Sequence, residues 1–157
     1  MISGDIADTF RERVFPGGLT YSGHPLAMAS IVASIDAMKE EGIVENAARI
    51  GRDVLAPGLA ELADKHPVIG EVRGLGVFWA LDLVKNRQTK EPLAPYGGSS
   101  PAMNQFMAEC RTRGLMPFMN FNRTHVVPPC IVTDAEAKEG LAILDEVFTL
   151  IDAHYEG

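Results

Sequence analysis

Basic residues are in short supply in this sequence. Its 14 Lys and Arg stand against 21 Asp and Glu, which leaves a formal charge of −7 and a pI near 5. No stretch gathers the cations into a patch, so no nucleic-acid surface is expected, and binding to polyanions in general is disfavoured. Cysteine is scarcer still. Cys110 and Cys130 fit neither a CxxC motif nor a metal-ligand spacing, and read as free thiols of a reducing compartment. Long apolar runs are missing too: nothing approaches the roughly 20 residues that cross a bilayer. Met1–Phe10 carries acids and no apolar block of the kind a secretory leader has. A cytoplasmic protein without membrane contact is the expectation. Internal repeats are also absent. What is present is a hydrophobic fraction of 46% over 157 residues, enough for one folded core and too much for a disordered tail.

Residues 1–24 read as a connecting arm. Met1–Ile2 is expected to end a strand, and Ile6, Ala7 and Phe10 suggest a short helical turn. Phe15-Pro-Gly-Gly-Leu-Thr-Tyr-Ser-Gly-His-Pro25 is too rich in turn formers for a regular element. A helix is predicted from Pro25, a residue suited to the first helical position, to Gly42. Apolar or small residues surround it, so cover on both sides is expected. A second helix begins near Ile43, with a kink or break at Pro57-Gly58 and an end at His66-Pro67. Residues 25–66 are thus a connecting helical segment.

Residues 67–157 read as a small α/β domain. Two strands are predicted over Val68–Val84 with a bend at Gly74-Leu75-Gly76; the second is nearly continuously apolar and should be covered on both faces over most of its length. Lys85–Ser99 is expected to be a long exposed loop. Ser100-Pro101 starts a helix that Gly114 stops. Leu115–Met119 and Thr124–Val127 form a strand pair around Asn120-Phe-Asn-Arg123. Thr133-Asp-Ala-Glu136 is a capping box opening a helix with the stripe Ala137, Leu141, Leu144, Phe148, Ile151, Tyr155. The fold class that follows is α+β: a small, mainly antiparallel sheet with helices on one face, preceded by an N-terminal arm.

Three segments carry a resemblance. They are Gly17-Gly-Leu-Thr-Tyr-Ser-Gly-His-Pro-Leu-Ala27, Val72-Arg-Gly-Leu-Gly-Val-Phe-Trp-Ala-Leu-Asp-Leu-Val84, and His125-Val-Val-Pro-Pro-Cys-Ile-Val-Thr-Asp134 leading into Gly140-Leu-Ala-Ile-Leu144. Together they resemble the last third of class III (ω-amino acid) pyridoxal-phosphate aminotransferases of fold type I. The first segment is the most specific, and the other two support it by their order. The resemblance implies the C-terminal small domain of such an enzyme, pyridoxal 5'-phosphate as cofactor of the complete enzyme, a homodimer, and transfer of an amino group from an amine or ω-amino acid to a 2-oxo acid such as pyruvate or 2-oxoglutarate. It also implies a cofactor-anchoring lysine just before the segment matching Ile2-Ser-Gly-Asp-Ile-Ala-Asp8, so the lysine is expected upstream of this chain, with no catalytic residue and no bound cofactor in the chain alone.

The residues themselves support that division. The anchoring amine must be able to lose its proton near neutrality, whereas Lys39, Lys65, Lys85, Lys90 and Lys138 all read as solvated surface charges. Thr20 is the first cofactor-binding candidate: the matching threonine contacts the cofactor phosphate of the neighbouring subunit through its hydroxyl and backbone N–H, and Leu19 lies beside it. A plain turn threonine is the other reading. Arg123 and His125 are the substrate-binding candidates; several relatives have arginine where this chain has His125, and Arg123 sits in the turn. His24 reads as a helix-start residue before a proton shuttle, and Arg73 as an ion-pair residue before a carboxylate contact. Phe78, Trp79, Phe106 and Phe118 read as core. No metal site is expected. The alternative is a non-catalytic α+β module that associates with itself or another chain.

Overall fold

The computed structural model describes residues 2–157, so the expectation for Met1 lies outside the described residues. The chain forms two compact units, one ending at Glu41 and the other spanning Gly42–Gly157.

The first unit holds two helices. Ile2 is irregular rather than extended, because Ser3 acts as an N-cap, accepting from the Ile6 N–H, and opens α1 (Gly4–Thr9). The segment to His24 has no regular structure beyond turns. His24 takes the helix-start role: its Nδ1 accepts from the Ala27 N–H at 3.4 Å, and α2 (Pro25–Glu40) follows with proline in its first turn. No residue of α1 or α2 is buried. Leu26, Ile31, Val32 and Ile35 are exposed, so the cover that α2 calls for is not supplied by the described residues.

The second unit starts with Gly42, whose φ of 61° suits a residue without Cβ. Then come α3 (Ile43–Ile50), a π-helical turn (Gly51–Leu55) and α4 (Ala56–Lys65). The expected break at Pro57-Gly58 does not occur there. Pro57 has no N–H for the carbonyl four residues back and its ring crowds that carbonyl. The turn before it widens instead, with the Ala56 N–H reaching the Gly51 carbonyl.

β1 (Ile69–Leu75) and β2 (Phe78–Asn86) pair antiparallel through a two-residue turn at Gly76-Val77. Gly76 has φ 57° at the first central position, as a type II′ turn requires. A Cβ on Gly51 would collide with the Gly76 backbone, so the hairpin tip and the π turn touch directly. The expected loop over Lys85–Ser99 is only partly a loop. β2 runs on to Asn86, β3 (Glu91–Pro92) folds back on it, and Leu93 and Ala94 are buried; their apolar surface joins the main core and draws the chain inward.

α5 (Pro101–Thr112) is capped by Ser100, whose hydroxyl accepts from the Met103 N–H at 3.2 Å. It ends in a Schellman motif: the Leu115 N–H reaches the Cys110 carbonyl and Gly114 has φ 83°. β4 (Phe118–Asn120) and β5 (Arg123–Val126) follow, with only Phe121-Asn122 between them, so Arg123 is a strand residue rather than a turn residue. Thr133 and Glu136 form both bonds of the capping box of α6 (Asp134–Ile151). Ala137, Leu144, Phe148 and Ile151 of the expected stripe are buried, Leu141 is half-buried, and Tyr155 lies beyond the helix end.

The sheet order is β1-β2-β5-β4 with β3 also on β2, all antiparallel. Its inner face contributes Val72, Leu81, Leu83, Thr124 and Met119 to a core shared with α4, α5 and α6, in which the Phe106 and Phe148 rings lie 5.2 Å apart. The α+β architecture expected from the sequence is the one observed.

Candidate functional site

Strand alternation decides which side chains the sheet turns away from its core. Register places Glu71, Arg73 and Leu75 of β1, Phe78, Ala80 and Asp82 of β2, Arg123 and His125 of β5, and Phe118 of β4 on the outer face. Phe78 and Phe118 are exposed at 63% and 67%, which corrects the expectation that both are core. The signal was in the sequence: Phe78 shares parity with Asp82, and Trp79 has the opposite one. Trp79 is half-buried and donates from Nε1 to the Gly76 carbonyl at 2.7 Å, and Phe106 is fully buried.

His125 stands between the two phenylalanines, its ring 5.4 Å from Phe118 and 6.2 Å from Phe78. Burial holds its pKa below the ordinary value, and the charges of Arg123 and Arg73 push the same way. The imidazole is therefore held in its neutral form. Arg73 is committed to an ion pair, with Nη1 at 2.5 Å from Asp82 and 3.3 Å from Glu71. Arg123 is half-buried, its Nε is shut off from solvent without an acceptor, and it has no ion pair among the described residues.

Beside this face lies an apolar cleft of about 380 Å³, lined by Leu55, Leu115, Phe118, His125, Pro128 and Leu144 among others. It runs between the strand pair and α6, within the second unit.

In the first unit, Leu19 and Thr20 begin a turn in which the Ser22 N–H donates to the Leu19 carbonyl at 3.0 Å. A second turn returns the His24 N–H to the Tyr21 carbonyl with Gly23 at φ 73°. Both Leu19 and Thr20 are exposed. The Thr20 hydroxyl and backbone N–H have no hydrogen-bond partner among the described residues, so both are free to donate outward.

None of the five lysines is buried. Lys65 pairs with Asp145, and Lys85 is held in its charged form by Glu91 and Glu156. No group of three or more metal-ligating side chains is present among the described residues, and no helix is long and apolar enough to cross a membrane.

Two polar features, one buried and one at the surface, have no signal in the sequence. His66 is 1% exposed and lies between Asp145 and Asp152, and Arg87 forks onto the carbonyls of Ala63, His66 and Ile69. Both depend on pairings across long sequence separations.

Comparison with known proteins gives this geometry a family. The sequence profile of the family Aminotransferase class-III matches residues 4–148, and the chain belongs to that family. It is 32% identical over 158 residues to the taurine–pyruvate aminotransferase of Bilophila wadsworthia, covering 96% of this chain and 33% of the relative. It is 34% identical to the 5-aminovalerate aminotransferase of Pseudomonas aeruginosa, covering 87% and 32%. The fold superposes on the taurine:2-oxoglutarate aminotransferase of Bifidobacterium kashiwanohense, solved in complex with PLP and glutamate, with a TM-score of 0.84 and 35% identity over 99% of this chain and 34% of that one. The chain thus spans about a third of the length of the relatives it matches.

Proposed function

We propose that residues 1–157 are the C-terminal part of an aminotransferase that moves an amino group from an amine or ω-amino acid to a 2-oxo acid, pyruvate or 2-oxoglutarate. The observation that carries this reading is the family match over residues 4–148 together with a backbone that superposes at TM-score 0.84. The acceptors are those in the names of the relatives.

Pyridoxal phosphate, when bound, supplies an electron sink for cleavage at the amine-bearing carbon. The residues present fit one end of that group. Thr20 offers a free hydroxyl and N–H on an exposed turn flanked by Leu19 and glycines, a donor set that suits a phosphate. They do not fit the other end. An anchoring amine needs desolvation or a neighbouring cation to lose its proton, whereas these lysines are exposed or paired with carboxylates. The anchoring amine therefore comes from outside these residues, and residues 1–157 alone are inactive.

On the outer sheet face, neutral His125 and the half-buried Arg123 are the substrate-facing pair. Arg123 supplies a fork of donors for an acidic group, His125 offers an uncharged ring, and Phe78 and Phe118 flank it with apolar surface. Thr20 acts across a homodimer, and the uncovered residues of α2 belong to surfaces that other parts of the assembly cover. The complete enzyme is cytoplasmic in this reading.

A chimera tests it. A relative whose matching third is replaced by residues 1–157 should transaminate an amine donor with pyruvate or 2-oxoglutarate. Thr20→Ala in that chimera should raise the pyridoxal phosphate concentration needed for half-maximal activity roughly tenfold, the worth of about 1.4 kcal/mol in charge-assisted bonds. A folded chimera that binds the cofactor and never transaminates would contradict the reading.

A further inference from the structure

Asp82 and Arg123 face each other in the β2–β5 register, the placement at which opposite charges normally pair across strands. They form no pair. The Asp82 carboxylate is taken from the other side of β2 by Arg73, whose Nη1 also reaches Glu71 at 3.3 Å. Both acids near this row are thus engaged with Arg73. Arg123 has no ion pair among the described residues, and its Nε is buried without an acceptor. A buried donor left without a partner is unfavourable, so the guanidinium is poised for an acceptor. His125, two residues along the same face, competes for nothing here. Its proton is disfavoured by burial and by both arginines, and its ring contacts are the phenylalanines.

We propose that Arg73 is a positioning residue that holds Asp82 away from Arg123, and so keeps Arg123 open to a small oxyanion, a carboxylate or a sulfonate. The inference rests on the reading that this sheet face looks onto the substrate. Arg123 makes the contact, Asp82 is the internal competitor for it, and Arg73 decides the competition.

The test follows the Arg123 Nε–H resonance by NMR in the 157-residue chain during titration with acetate, methanesulfonate and inorganic sulfate. The first two separate carboxylate from sulfonate recognition, and sulfate reports bare anion binding. Wild type shows a saturable shift with acetate, methanesulfonate or both. Arg123→Gln abolishes binding, read as loss of the saturable shifts of the neighbouring His125 and Thr124 amides. In Arg73→Gln, Asp82 turns to Arg123 and the apparent Kd rises about three- to tenfold, the range expected for a partly exposed ion pair. Arg73→Lys keeps the hold on Asp82 and stays within about twofold of wild type. Arg73→Gln combined with Asp82→Asn has no competing carboxylate and recovers wild-type affinity. An unchanged Kd in Arg73→Gln overturns the positioning role and leaves Arg123 as an anion site. Amide shifts that survive Arg123→Gln, or no saturable response except to sulfate, overturn the substrate-facing reading as well. If Arg73→Gln does not fold, Asp82→Asn carries the test: equal or tighter binding supports the proposal and weaker binding overturns it.

Discussion

The Nε2 of His66 lies 2.7 Å from Oδ1 of Asp145, tying the end of α4 to the middle of α6 through a histidine with 2% of its side chain exposed. The other ring nitrogen lies 2.7 Å from Asp152, at the start of the C-terminal turn. Lys65 reaches the same Asp145 carboxylate at 2.6 Å. This cluster ties the end of α4 to α6 and to the turn that follows it.

Asp145 gives the cluster an acid limit. Lys65, and after it His66, holds its carboxyl below the ordinary 3.8. A group whose folded pKa is depressed stabilises the fold above its unfolded value and loses that contribution as pH falls through the folded one. Thermal unfolding should therefore show a fall in Tm as pH drops below about 4, and Asp145→Asn should lower Tm at pH 7 while flattening that fall. An acid limb equally steep in the variant would contradict the assignment.

His125 should titrate by NMR with a midpoint below the ordinary 6.5, because burial and then the charges of Arg123 and Arg73 disfavour its proton. With the folded value depressed, this ring favours the fold at neutral pH and opposes it as pH falls through that value. Arg123→Gln should move the midpoint upward. A wild-type midpoint at or above 6.5 would remove the neutral imidazole from the site.

The two cysteines should separate by reactivity. Cys110 is buried in the core and burial pushes its thiol up to about 11, whereas Cys130 is exposed. A thiolate-specific reagent at pH 8 should consume one thiol quickly in the native chain and both after denaturation. Rapid reaction of both in the native state would mean that α5 does not pack as described.

The capping box should be measurable on its own. Thr133→Ala removes the two hydroxyl bonds to Glu136 at the start of α6, leaving the backbone N–H bond to the Glu136 carboxylate, and should cost about 1 kcal/mol, a Tm decrease of roughly 2–4 °C in a chain of this size. No change in Tm would show that α6 is started by packing alone.

Much of the fold was legible because its signals are local. Thr133 and Glu136, Ser100 with Pro101, and Gly114 mark helix ends through bonds spanning a few residues. The stripe from Ala137 to Ile151 follows helical spacing. The misses came from contacts made at a distance. Leu93 and Ala94 looked like loop residues because their burial depends on β2, and Pro57 displaced its disturbance into the preceding turn. Phe78 and Phe118 read as core by residue type, where strand parity puts them outside. The candidate site was legible only in part. The sequence marks His125 and Arg123 but not Asp82, whose meaning lies in which arginine it contacts, a matter of register between three strands.

The most direct test of the central claim is to incubate the purified 157-residue chain with pyridoxal phosphate, reduce with borohydride and measure the intact mass. The account predicts no stoichiometric adduct at any one site, only sparse labelling spread over the exposed amines, because none of these lysines is desolvated and the anchoring amine is supplied from elsewhere. A stoichiometric adduct on a single lysine, accompanied by turnover of an amine donor and a 2-oxo acid, would contradict it.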